Sequence, residues 1–194
     1  ITIVSPDGGE IWTQGTEQFI HWTCAGNPGS TVTIEFLKGS NVLKTVTGIS
    51  ISSGSYRVPV PYGTPPGDDY QVRITSTSNP VYTDTSAATF TVQSAIKVVS
   101  PNGREDWQLG SAQSIQWSYA ESAGDSVKIE ALRGETVIAT IPNVPIGTGG
   151  SGFYNLTVPS NTPLGDEYRI RVTSSTHNAC TDTSDMAFFV VGDK

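Results

Sequence analysis

Ser5-Pro6-Asp7-Gly8-Gly9-Glu10-Ile11-Trp12 returns as Ser100-Pro101-Asn102-Gly103-Arg104-Glu105-Asp106-Trp107. Trp12 and Trp107 stand 95 positions apart, and Trp22 recurs as Trp117 at the same spacing. Further on, Gly67-Asp68-Asp69-Tyr70 returns as Gly165-Asp166-Glu167-Tyr168, 98 positions later. A period of that length is one whole small domain, not a solenoid unit of roughly 20–50 residues. The repeat also compares the chain with itself. Residues kept in both copies are mostly those the fold needs. Residues found in one copy are free for function or drift.

The 194 residues therefore divide into two domains, 1–93 and 96–194, each close to the roughly 100 residues of an immunoglobulin-like domain. Short alternating segments lie between clusters of Gly, Pro, Asn and Ser, and no window carries sustained helical periodicity. The predicted class is all-β: two tandem immunoglobulin/fibronectin-III-like β-sandwiches. Strands are predicted near 1–4, 10–12, 17–24, 31–38, 41–47, 55–60, 69–76 and 87–93 in the first copy. In the second they are predicted near 96–99, 105–107, 112–119, 126–133, 136–141, 153–158, 167–174 and 186–191. Only Gln93-Ser94-Ala95 separates the copies, a linker without Pro or Gly that predicts a semi-rigid rod.

Alternation assigns faces. Val32, Ile34 and Phe36 point inward, with Thr33 and Glu35 outward; Tyr70, Val72 and Ile74 point inward, with Gln71 and Arg73 outward. The second copy agrees, with Val127, Ile129, Tyr168, Ile170 and Val172 inward and Lys128, Glu130, Arg169 and Arg171 outward. Neighbouring strands then set Glu35 against Arg73 and Glu130 against Arg171, as register pairs rather than as catalytic groups. Tyr70 and Tyr168 follow a Pro/Gly turn, the place of a tyrosine corner, and Asp68 and Asp166 are predicted to accept turn N–H groups. Arg104 replaces Gly9, so the first turn of the second copy is expected to differ.

Charged residues make up 15% of the chain and the net charge is −7. That balance disfavours nucleic acid, which needs a basic stripe, and it disfavours anionic membrane surfaces. No apolar run approaches the roughly 18–20 residues of a membrane span. Ile1 already begins the first copy, so the chain reads as a segment of something longer.

The two cysteines are not equivalent: Tyr119 matches Cys24, and Tyr82 matches Cys180. In an end-to-end tandem they would lie about one domain length apart, far beyond the roughly 7 Å Cα limit of a disulfide. Two unpaired thiols are expected, each serving as a small buried hydrophobe.

Catalytic chemistry is sparse. His21 and His177 are the only histidines, matched by Gln116 and Asn79, and His21 is predicted to face away from Trp22. Nucleophile, P-loop and zinc-protease motifs are absent. Asp68-Asp69, Asp166-Glu167 and Glu105-Asp106 are adjacent carboxylates, which point to opposite faces of a strand and suit two-carboxylate hydrolysis poorly. Calcium suits clustered carboxylates better, but its loop spacing is missing. No catalytic residue, metal site or cofactor is predicted. Trp12, Trp22, Trp107 and Trp117 are duplicated and read as core. Tyr62, Tyr82 and Tyr119 have no aromatic match in the other copy (Ser160, Cys180 and Cys24), which makes them the candidate ligand-binding residues. Asn155-Leu156-Thr157 is a glycosylation sequon inside a strand.

Ser5, Pro6, Gly8, Gly9, Glu10, Trp12, Gly15, Trp22, Gly54, Tyr56, Pro61, Gly67, Asp68 and Tyr70 together resemble one family pattern. Ser100, Pro101, Gly103, Glu105, Trp107, Gly110, Trp117, Gly152, Tyr154, Pro159, Gly165, Asp166 and Tyr168 repeat it. The pattern is similar to the Ser-Thr-rich glycosylphosphatidylinositol-anchored membrane family, the immunoglobulin-like module of fungal cell-wall β-1,6-glucan assembly proteins and of prokaryotic surface proteins. The resemblance implies an extracellular or cell-surface, non-catalytic module without a defined ligand. The function expected is a spacer or adhesion segment; the alternative is a carbohydrate-binding appendage of a secreted hydrolase. Partners would be a cell-wall polysaccharide or another surface protein, with sheet-edge addition a further mode, and the isolated chain is expected to be monomeric.

Overall fold

The computed structural model describes residues 1–192. The chain forms two compact units, Ile1–Gln93 and one that begins at Ser94. Unit one contains β1 (Thr2–Ser5), β2 (Ile11–Thr13), β3 (Glu17–Thr23), β4 (Thr31–Lys38), β5 (Asn41–Ser50), β6 (Ser55–Pro59), β7 (Gly67–Ser76), β8 (Thr83–Thr85) and β9 (Phe90–Gln93). Unit two contains β10 (Ile96–Ser100), β11 (Asp106–Gln108), β12 (Ala112–Tyr119), β13 (Ser126–Arg133), β14 (Thr136–Pro145), β15 (Ser151–Thr157), β16 (Gly165–Ser174), β17 (Thr181–Thr183) and β18 (Phe188–Val191). No α-helix occurs among the described residues.

Each unit packs a three-stranded sheet against a six-stranded one. In unit one the orders are β1-β3-β6 and β2-β9-β7-β4-β5, with β8 also on β7; unit two repeats them as β10-β12-β15 and β11-β18-β16-β13-β14, with β17 on β16. All pairings are antiparallel except β2 with β9 and β11 with β18. The sandwich forms because the inward stripes are apolar at period two. Ile20 and Trp22 on one sheet meet Val32, Ile34, Val72 and Ile74 on the other, all nearly inaccessible to water. Burial of this kind is worth roughly 25 cal/mol per Å² of apolar surface.

The tryptophans are core residues. Trp12 packs on Phe90 with ring centroids 4.4 Å apart, and Tyr70 packs on the same ring at 5.8 Å. Trp107, Phe188 and Tyr168 reproduce both distances. Trp22 Nε1 donates to the Ile51 carbonyl at 3.1 Å, and Trp117 Nε1 to Ile146 at 2.8 Å. Thus the indole N–H groups of Trp22 and Trp117, the two in the smaller sheets, are satisfied. The tyrosine corner is present twice: the Tyr70 hydroxyl donates to the Pro65 carbonyl, and that of Tyr168 to Pro163.

The turn motif has a mechanism. The Glu10 carboxylate accepts the N–H groups of Asp7 and Gly8, both at 2.8 Å. Glu105 does the same for Asn102 and Gly103, at 2.7 and 2.8 Å. Burial raises the pKa of each carboxylate, and the backbone bonds outweigh it, leaving both below the ordinary value. A Cβ at Gly8 would lie 2.5 Å from the Ala88 Cβ, and one at Gly103 2.6 Å from the Met186 Cβ, so both glycines are required.

Three expectations need correction. The first turn of unit two does not differ: Arg104 adopts φ 67° where Gly9 has φ 81°, a Cβ at Gly9 would meet nothing within 4 Å, and Arg104 is exposed. Asp68 and Asp166 do not cap their turns; they are exposed at the bulged starts of β7 and β16. Gly39 and Gly134 N–H groups donate instead to the Asp69 and Glu167 carbonyls. Glu130 points outward as expected, yet it is only 6% exposed, because Lys128 and Arg171 close over it at 3.1 and 2.8 Å. The short strands β8 and β17 were unpredicted. Thr-Asp-Thr carries no apolar alternation, and only the ladder to β7 or β16 makes it a strand.

Candidate functional site

Several of the polar groups shared by the two copies are occupied by folding, whereas Asp68 and Asp166 are exposed. Asp84 accepts the Ile3 N–H and Asp182 the Val98 N–H, each at 2.7 Å. Ser86 Oγ, buried, accepts the Val72 N–H at 2.9 Å and donates to the Val72 carbonyl at 3.2 Å. Ser184 repeats this on Ile170 and also lies 2.7 Å from the Pro101 carbonyl. A hydroxyl so enclosed is not a nucleophile. Glu35 faces Arg73 in register with Oε2 2.7 Å from Nε, and Glu130 faces Arg171 at 2.8 Å. Among the described residues, no three His, Cys, Asp or Glu side chains are grouped closely enough to hold a metal ion.

Both cysteines are free thiols. Cys180 is buried, and burial pushes its pKa up to about 11. Cys24 corrects its expectation: it is exposed, just past the end of β3.

Tyr62, Tyr82 and Tyr119 are all half-buried. Tyr62 lies over Gly15, just before β3, where a Cβ would sit 2.4 Å from the ring. Tyr82 lies over Gly26, just after β3, and its hydroxyl accepts the Asn27 N–H at 3.3 Å. Seven strand residues span roughly 20 Å, so Tyr62 and Tyr82 occupy opposite ends of unit one. Tyr119 belongs to unit two, at the end of β12 opposite Ile96. No two of the three share a surface within a unit.

Two exposed aromatic rings were missed. On the outward face of the three-stranded sheets, Phe19 is 50% exposed and Phe153 is 67% exposed. Phe19 is opposite Arg57, and His21 opposite Ser55. The His21 and Phe19 rings are nearly parallel, 14° apart, with centroids at 6.0 Å. Arg57 forms an ion pair with Glu17 on the same face. In unit two Phe153 is opposite Gln116, and Asn155 opposite Ser114. Parity was the available signal: Phe19 shares the phase of His21, which was assigned away from Trp22.

Each unit also has an apolar cleft lined by the edge strand β5 or β14 of its larger sheet and by β6 or β15 of its smaller one. It is about 500 Å³ by Trp12, Leu43, Val58 and Tyr70, and about 590 Å³ by Trp107, Ile138, Leu156 and Tyr168. Its duplication marks it as a property of the fold.

Residues 5–92 match the family model of the Kre9/KNH-like N-terminal Ig-like domain. The match falls within unit one and bears out the immunoglobulin-like part of the resemblance. No curated protein matches the chain. Among solved structures, the fibronectin(III)-like modules of Clostridium thermocellum CbhA are 16% identical, covering 98% of this chain and 94% of that one, at a TM-score of 0.32. The teleost fish polymeric Ig receptor ectodomain is 13% identical over 100% of this chain and 98% of that one, at 0.40. The tandem Ig repeats of Dlar are 16% identical over 98% and 96%, at 0.32. These are likenesses of fold alone.

Proposed function

We propose that the chain is a non-catalytic tandem β-sandwich segment of a secreted or cell-surface protein, acting as a spacer and adhesion module. What supports it is the commitment of three duplicated pairs of polar residues to structure. Glu10 and Glu105 close turns, Asp84 and Asp182 hold the first strands, and Ser86 and Ser184 are buried in backbone bonds. His21, the exposed one of the two histidines, lies beside a phenyl ring rather than a nucleophile. The isolated chain, incubated with chromogenic esters, glycosides and peptides, is expected to turn over none of them. Sustained turnover would overturn this reading.

A second reading is a carbohydrate-binding appendage of a secreted hydrolase. It is favoured by aromatic rings left partly open to solvent, whose planar faces suit sugar rings. Tyr62, Tyr82 and Tyr119 remain candidate ligand residues under it, and loss of polysaccharide retention on their replacement by Ala tests them.

A further inference from the structure

We propose that the outward face of the three-stranded sheet in each unit is a platform for a neutral pyranose polysaccharide, with Phe19 stacking a sugar ring in unit one and Phe153 in unit two. The proposal rests on the carbohydrate-binding reading and names its site.

The argument begins from the repeat. Four outward positions of adjacent strands form one block: Phe19, His21, Ser55 and Arg57 in unit one, matched by Ser114, Gln116, Phe153 and Asn155 in unit two. No residue identity is shared between the copies, so the fold does not dictate this surface. Yet each block contains one exposed phenylalanine, at a different corner. The core has no use for either ring, since Ile20 and Trp22, or Tyr154 and Leu156, take the inward phase. An exposed Phe on an edge strand such as β15 is also a liability, which sheets ordinarily avoid.

The neighbours fit a sugar. A pyranose presents a C–H face to a ring and a rim of hydroxyls to its sides. Beside Phe153 stand the amides of Gln116 and Asn155, each able to donate and accept. Beside Phe19 stand His21 and the Arg57–Glu17 pair. A protein partner would need a larger apolar centre than the one exposed ring in each block. A phosphate-bearing partner would be repelled by a chain of net charge −7.

The test uses the full chain made in bacteria, so that the Asn155-Leu156-Thr157 sequon carries no glycan. Affinity electrophoresis in gels containing soluble β-glucans, mannan or xylan, with pull-down on chitin and cellulose, identifies a retained polysaccharide. Titration calorimetry against a soluble form of it then compares variants. Saturable retention is expected, weakened roughly tenfold by Phe19→Ala or Phe153→Ala and abolished by both. Phe→Trp at the same positions is expected to restore it. Circular dichroism should be unchanged, because the rings point outward. Binding that survives the double variant but falls with Tyr62→Ala, Tyr82→Ala or Tyr119→Ala would overturn the platform and keep the carbohydrate reading. No retention of the unaltered chain on any polysaccharide would overturn both.

Discussion

Asp182 Oδ2 lies 2.7 Å from the Val98 backbone nitrogen, across the interior edge between two sheets of one unit. Asp84 stands in the same relation to Ile3. In each case the accepted N–H belongs to a first strand that bulges one residue later, where the ladder to its neighbour breaks. A carboxylate on a three-residue strand thus replaces a missing ladder bond and ties the smaller sheet to the larger. Asp84→Ala and Asp182→Ala are each expected to lower stability by about 1–3 kcal/mol, the cost of leaving such a donor without its charged acceptor. Asp182→Asn retains an accepting oxygen and should cost less than half as much. Equal losses for Ala and Asn in urea unfolding would contradict this assignment.

Glu130 should give unit two a pH-dependent contribution. The hydrogen bond from Arg171 and the neighbouring Lys128 hold its carboxyl below the ordinary value, against the opposing effect of burial. A carboxylate whose folded pKa is depressed stabilises above its unfolded pKa, about 4.3, and that stability is lost as pH falls through the folded value. Glu130→Gln should therefore cost most near pH 7 and progressively less below about pH 4. A cost that stays constant from pH 7 to pH 3 would show that the pairing does not matter. Glu35→Gln, at a more exposed pair, should cost only about 0.2–1 kcal/mol.

The first turns separate space from conformation. Gly103→Ala places a methyl group against Met186 at φ 144° and should destabilise by about 1–3 kcal/mol. Arg104→Gly removes the left-handed penalty at φ 67° and should be neutral or stabilising by up to about 1 kcal/mol. Paired thermal melts decide; a destabilising Arg104→Gly would mean that the Arg104 side chain contributes contacts of its own.

Tyr168→Phe and Tyr70→Phe each delete one hydroxyl donated to a proline carbonyl while preserving the packed ring. Each should cost about 1 kcal/mol. Loss of the ring by Tyr168→Ala should cost about 3–5 kcal/mol. Guanidinium unfolding separates the two contributions.

The two thiols should differ in reactivity. Maleimide is expected to label Cys24 rapidly at pH 7.5 and Cys180 only on unfolding, because the thiolate of Cys180 is disfavoured by burial. Mass spectrometry of the peptides reads the order directly.

Period-two alternation is a local property, so the inward stripes, the two-unit layout and the Glu35–Arg73 and Glu130–Arg171 registers were legible in the chain alone. The repeat made the tyrosine corners and the core tryptophans legible as well, because both copies keep them. Parity also contained the exposure of Phe19 and Phe153, which share the outward phase of their strands. Other features depend on residues far apart in the chain. The oxygens of Glu10 find N–H groups only after the turn closes, and β8 becomes a strand only when β7 is beside it. Glu130 is buried only once Arg171 and Lys128 fold across it. Tyr62 and Tyr82 are set at opposite ends of one strand by the glycines they cover, which no spacing in the sequence announces. Tertiary structure decided these because burial and hydrogen-bond partnership are properties of neighbours in space, whereas alternation is a property of neighbours in sequence.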